Sequence, residues 1–300
     1  MKRLFVLSVL VCMCLTTGGA AFAAHGHYVN GLEGIGAASL PPEGFYYKMY
    51  NIYYGANQLK NNKGGMERGD FSANVFVNAH RFIYSSPIEI LGGNLVADFV
   101  VPLVYTDLYY KVGGNKVMDD YRFSVGDIVV EPFVLAWHGE RWDAVAGVGI
   151  YMPTGSFRAI KPADPGKGFW TFMGSLGGTV YLDAEKTWSA SILGRYEIHT
   201  EQWETRTTPG HDFHFEWGVG KTINEIFTIG AAGYCGWQVT RDTGNNVMND
   251  HRERVMAVGP EIGFVIPEWK TMVSLRVLFE FENRNAPQGV FANLSLTKTF

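Results

Sequence analysis

Residues 272–282 read Met-Val-Ser-Leu-Arg-Val-Leu-Phe-Glu-Phe-Glu, with Val273, Leu275, Val277, Phe279 and Phe281 on one parity and Ser274, Arg276, Glu280 and Glu282 on the other. A period of two is that of a β-strand with unlike faces. The pattern recurs in 188–200, where Ala190, Ile192, Tyr196 and Ile198 oppose Ser189, Ser191, Arg195, Glu197 and His199. It recurs again in 212–222, where Phe213, Phe215, Trp217 and Val219 oppose His214 and Glu216. Charges in mid-strand need water or partners on their own side, because burying an unpaired charge is prohibitive. A soluble barrel could turn that face to solvent, but its apolar residues would then have to fill a wide interior. A lipid-facing wall around a polar lumen accommodates both faces more simply.

Strand-like segments separated by turn-forming clusters occupy 45–54, 74–84, 94–105, 123–137, 142–152, 170–183, 188–200, 212–222, 227–240, 254–266, 272–282 and 290–300. The connections 55–73, 106–122, 153–169, 201–211 and 241–253 are long and polar, whereas 138–141, 184–187, 223–226 and 267–271 are short. Long loops on one rim and short turns on the other are the habit of a membrane barrel. Two connections fit less well: 85–93 is long for a turn and 283–289 short for an outer loop. The expected fold is therefore all-β, a transmembrane antiparallel up-and-down β-barrel of about twelve strands with both termini periplasmic. In the last segment Val290, Ala292, Leu294, Leu296 and Phe300 share a parity, broken by Lys298. An aromatic end of this kind, Phe300, resembles the closing strand that serves outer-membrane barrels as an assembly signal. Trp142, Trp170, Trp188 and Trp269 near strand ends fit an interfacial girdle.

Compartment follows from the first residues. Lys2 and Arg3, the apolar run Leu4 to Leu15 and the small-x-small site Ala21-Phe22-Ala23 make a secretory signal peptide over 1–24. Cys235 alone then remains, which excludes a disulfide scaffold. Removing Lys2 and Arg3 takes the basic count from 25 to 23 against 29 acids, a formal charge of −6 without a basic patch, so nucleic acid is not an expected partner. No other run of about 18 apolar residues exists to form a transmembrane helix. Residues 25–42 are too glycine-rich for a stable helix or strand and form an irregular lead-in that could sit in the barrel lumen, ahead of a barrel over 43–300. His25 and His27 lie in it and are expected to be solvated.

The opening Gly34-Ile35-Gly36-Ala37-Ala38-Ser39-Leu40-Pro41-Pro42-Glu43-Gly44-Phe45-Tyr46-Tyr47 resembles that of the outer-membrane family named for the MetA pathway of phenol degradation. So do Gly126-Asp127-Ile128-Val129-Val130-Glu131-Pro132, Gly149-Ile150-Tyr151-Met152-Pro153-Thr154-Gly155, and Phe169-Trp170-Thr171-Phe172 leading to Thr179-Val180-Tyr181. The resemblance spans nearly the whole mature chain and rests on the order of these segments. It implies an outer-membrane barrel that passes small hydrophobic or aromatic compounds. It also implies as partners the outer-membrane lipid, the solute and the barrel assembly machinery, and it brings no catalytic motif.

By parity the interior carries Asp98, Asp127, Glu131, Arg195, Glu197, His199, His214, Glu216, Glu261, Arg276, Glu280 and Glu282. These predict a carboxylate-lined lumen favouring cations, with Arg195 and Arg276 as cross-lumen partners. Asp127 and Glu131 stand about 13 Å apart at roughly 3.3 Å per residue, too far to share a proton. Tyr46, Tyr50 and Tyr54 share the parity of Lys48; facing inward, they are either a slide for aromatic solutes or ordinary wall tyrosines. Cys235 is expected to face lipid. No cofactor or metal site is expected. A hydrolase would need a wall-mounted His and Ser pair on the outer face, and the nearest candidates, His80 with Ser85 and Ser86, do not suit it. The alternatives to a channel are a plugged structural or adhesive barrel and an outer-membrane lipid hydrolase.

Overall fold

The computed structural model describes residues 26–245, 247 and 252–300. The signal peptide expected over 1–24 and His25 lie outside them. Twelve antiparallel strands close into a barrel: β1 (Gly44–Leu59), β2 (Asp70–Ile90), β3 (Gly93–Val112), β4 in two segments (Asn115–Val125 and Ile128–His138), β5 (Trp142–Met152) and β6 (Thr171–Tyr181). The remainder are β7 (Trp188–His199), β8 (Asp212–Ile223), β9 (Phe227–Gln238), β10 (Arg254–Ile266), β11 (Thr271–Arg284) and β12 (Pro287–Thr299). Each strand pairs with its chain neighbour, and β12 returns to β1 with Tyr46 opposite Thr299. Closure removes the sheet edges that hydrocarbon would not tolerate. At the seam Phe300 donates its N–H to Phe45 O, and the two rings lie 5.6 Å apart.

The outer face is apolar. Phe133, Leu176, Ile192, Ile229, Leu275 and Phe279 all stand exposed in mid-strand, which places this surface in lipid rather than water. Trp142, Trp188 and Trp269 mark the short-turn rim and Trp170 the opposite one, all exposed. Cys235 is half-buried on the parity of the outward Phe227 and Ile229. Lys298 sits at the short-turn rim, where its ammonium donates to Trp269 O.

Three connections differ from the sequence expectation. Residues 106–122 form no long loop: β3 runs on to Val112 and pairs with Asn115–Val125 across Gly113-Gly114. Both glycines have positive φ, 57° and 86°, as a two-residue hairpin with primed twist requires. In the same way β2 runs on to Ile90 and turns at Leu91-Gly92, and Asn283–Gly289 shrinks to a turn at Asn285-Ala286. The wall at β2 and β3 is therefore about twice as long in residues as at β5 and β6, at 21 and 20 against 11. Segment Asn115–Val125 pairs with β3 alone; β5 meets only the second segment of β4. The expected continuous strand over 123–137 breaks at Gly126-Asp127.

Residues 26–42 enter the lumen. Pro42 accepts from the Tyr46 hydroxyl at the short-turn rim (3.0 Å), and from there the segment climbs to Gly26, beside Glu197 and Asp212 near the opposite rim. The approach is close enough to need bare backbone. A Cβ on Gly218 of β8 would lie 2.4 Å from the Gly34 carbonyl carbon, and one on Gly34 would lie 2.1 Å from Glu261 Oε2. Two glycines facing each other let the segment lie flat on the wall.

Candidate functional site

The segment is held by inward charges of β7, β8, β10 and β11. Glu216 accepts from the Tyr28 hydroxyl (2.7 Å) and the Gly31 N–H (2.6 Å). Glu197 accepts from the Tyr28 N–H, and Glu261 from the Ile35 N–H. Arg276 holds Glu261 with two hydrogen bonds (2.9 and 2.7 Å) and donates a third to Gly31 O (2.7 Å). Arg195 pairs with Glu216 (2.9 Å) and stacks 3.9 Å from the Tyr28 ring centre. A strandless backbone inside a barrel has no ladder to satisfy its N–H groups, so wall carboxylates take that role.

Glu33 makes the second attachment. It bonds Lys48 (2.8 Å), the Tyr50 hydroxyl (2.7 Å) and Arg81 (3.4 Å). Burial pushes its carboxyl up, but Lys48 and Arg81 outweigh burial and hold it at about 2. Arg81 also binds Asp98 through two nitrogens (2.9 and 2.6 Å) and Glu131 (2.8 Å), so one guanidinium joins two wall carboxylates to the segment.

A third attachment lies near the long-loop rim. His27 reaches Asp127 (2.8 Å) and Thr171 (2.6 Å), and Thr171 reaches His199 (2.7 Å), which meets Asp212 (3.0 Å). Asp127, at the break in β4, also accepts the N–H groups of Gly155 and Lys167 (both 2.8 Å) and so ties down the loop after β5. Burial holds the His27 imidazole below its ordinary range.

Beside the segment a cavity of about 680 Å³ remains. Its wall is largely apolar, from Val75, Val77, Val100, Val104, Val129 and Phe291, with Arg81, Glu33 and Tyr50 at one end and Phe157 and Lys167 of the loop after β5 at the other. Cavities of roughly 300–1,000 Å³ suit drug-sized ligands, and in an apolar cavity roughly 150 Å³ suffices for benzene.

Of the residues expected along the lumen, Tyr50, Asp127, Glu131, Arg195 and Glu280 reach the cavity wall. Tyr46, Lys48, Asp98, Glu197, His199, Glu216, Glu261 and Arg276 face inward but engage the segment or other wall side chains. Arg195 and Arg276 are not cross-lumen partners: each pairs with a carboxylate on the adjacent strand, close enough to fix both without spanning the barrel. Glu282 is not in the lumen. Its φ of 56° shifts the register of β11, so Asn283 turns inward and Glu282 pairs with Arg254 in the open. Tyr50 and Tyr54 spend their hydroxyls on Glu33 and Glu280. His27 is buried, not solvated. His80 and Ser85 stand on opposite parities of β2, His80 bonded to the Tyr47 hydroxyl and Ser85 buried inward. Arg81, Glu33 and Tyr28 escaped sequence reasoning. For Arg81 the signal was available, since it shares a parity with Ala79 and Ile83.

The profile of a family described as "Putative MetA-pathway of phenol degradation" matches residues 56–296. Among solved structures the chain is similar to an outer-membrane channel from Pseudomonas putida F1, at 13% identity and a TM-score of 0.77, covering 88% of this chain and 97% of that one. It is similar more remotely to the toluene transporter TbuX of Ralstonia pickettii, at 9% identity and a TM-score of 0.45, covering 90% and 92%. The first shares the fold; the second is too distant to carry an argument. No curated protein matches the sequence. A closed antiparallel barrel with an apolar outer face is the architecture of the bacterial outer membrane, and this protein is located there.

Proposed function

The chain belongs to the family described as a putative MetA-pathway of phenol degradation, and on that premise we propose that it is an outer-membrane channel for small hydrophobic or aromatic compounds. The observation that carries this reading is the aliphatic cavity beside the segment. An open hydrophilic pore gains nothing from a valine-lined wall, whereas an apolar solute loses little on leaving lipid for it. Passage is passive, and the solute rests on the aliphatic side. The wall carboxylates hold the segment that separates the cavity from the short-turn rim, so complete passage requires that segment to shift. The short-turn rim faces the periplasm, and the barrel's partners are outer-membrane lipid, the solute and the assembly machinery.

A plugged structural barrel is the second reading, favoured by the segment itself. Proteoliposomes separate the two. Uptake of radiolabelled toluene faster than into protein-free vesicles, with no swelling in sugars, supports the channel; toluene uptake at the protein-free rate supports the plugged barrel.

A further inference from the structure

The cluster near the long-loop rim ends in a set of candidate metal ligands. Asp127, His27, Thr171, His199 and Asp212 form a chain of four contacts, of 2.8, 2.6, 2.7 and 3.0 Å. Thr171 holds Nδ1 of His199, so that Nε2 faces the Asp212 carboxylate.

The surroundings add acceptors there. Glu197 joins His199 and Asp212 in a buried group whose ligand atoms all lie within 4.8 Å of one another. His214, 3% exposed and stacked on Tyr28 at 4.8 Å, points Nε2 to within 3.8 Å of Glu197 Oε2, and neither of its ring nitrogens makes a hydrogen bond. Glu197, Asp212 and His214 border a small void of about 30 Å³, room for one ion or water.

We infer that Glu197, His199 and Asp212 bind a divalent transition-metal ion, with Zn²⁺ the best match. One imidazole and two carboxylates form a nitrogen and oxygen set that zinc takes with water in the fourth position. Bonds of about 2.0 Å place tetrahedral ligand atoms roughly 3.3 Å apart, close to the 3.0 Å of His199 to Asp212. Thr171 plays the outer-shell part, holding Nδ1 of His199 so that Nε2 faces the ion. Because Glu197 also accepts the Tyr28 N–H, the ion braces the wall where the segment docks.

The test is calorimetric titration of untagged, refolded protein in detergent with ZnCl₂ at neutral pH, with heat-modifiable migration verifying the barrel. One equivalent is expected. His199→Asn and Asp212→Asn should abolish that binding, and Thr171→Val should weaken it by roughly 10–100-fold, while His80→Asn on the outer face leaves it unchanged. No binding, or binding that survives both ligand substitutions, overturns the proposal. X-ray absorption of the zinc-loaded wild type gives a readout independent of variant folding: a shell with one imidazole and oxygens is expected, and one without imidazole overturns the site.

Discussion

The lumen has two sides built by the same alternation and put to opposite uses. On β7, β8, β10 and β11 the inward positions are Arg195, Glu197, Glu216, Glu261 and Arg276, and they grip a piece of the chain itself. On β2, β3 and β4 the grip is confined to Arg81, Asp98 and Glu131, and above them the inward positions are Val75, Val77, Val100, Val104 and Val129, beside which the cavity stays open. An inward position in a membrane barrel is therefore not polar by rule. It is polar where backbone must be satisfied and apolar where an apolar guest is to sit.

The largest way to break this contrast is Arg276→Ala on the gripping side. It strands Glu261 as a buried carboxylate and leaves Gly31 O without its donor, a loss of about 3–5 kcal/mol by the usual cost of removing one partner of a buried pair. Denaturant unfolding should show that loss, together with faster proteolysis within residues 26–42; an unchanged midpoint would mean that the segment is held elsewhere. On the apolar side, Val77→Asn or Val104→Asn should leave the segment docked and weaken toluene binding by about 1–3 kcal/mol, the cost of covering a polar group left without a partner. Equal toluene affinity in wild type and variants would remove the cavity from the solute's path.

Acid should loosen the contacts of the segment and leave the apolar wall as it is. Glu33, at about 2 when docked against 4.5 when free, stabilises docking fully above 4.5, and that contribution disappears as pH falls towards 2. His27, held below its ordinary 6.5 by burial, takes up its proton more readily when released, so docking already begins to weaken below 6.5. Protease sensitivity of residues 26–42 should rise steadily from pH 7 to pH 4, and an opposite trend would contradict the assignment of these contacts. The smallest effect belongs to Glu282→Ala. Despite its parity with Glu280, its exposed pair with Arg254 is worth about 0–1 kcal/mol, and thermal denaturation should barely move.

The gripping side was legible in the sequence because alternation of charge with apolar residues in β7, β8 and β11 can only mean two faces. The cavity side was not. In β2 the inward Val75 and Val77 alternate with outward Asn74, Phe76 and Asn78, and outside Asn78 bonds Asn51 while Asn74 bonds Tyr53. Both faces there mix small polar and apolar groups, so parity carries no sign. Glu282 was misplaced because a left-handed residue shifts the register and leaves no mark in composition. The long strands β2 and β3 were cut short because Tyr109, Tyr110 and Asp107 read as loop until a glycine pair closes the hairpin.

The segment closes the lumen while the cavity takes the solute. Liposome swelling with arabinose tests it most directly, comparing the wild-type barrel with one lacking residues 26–42. The prediction is no swelling for the wild type and rapid swelling for the deletion in a barrel that still migrates as folded. Equal swelling of the two would contradict it.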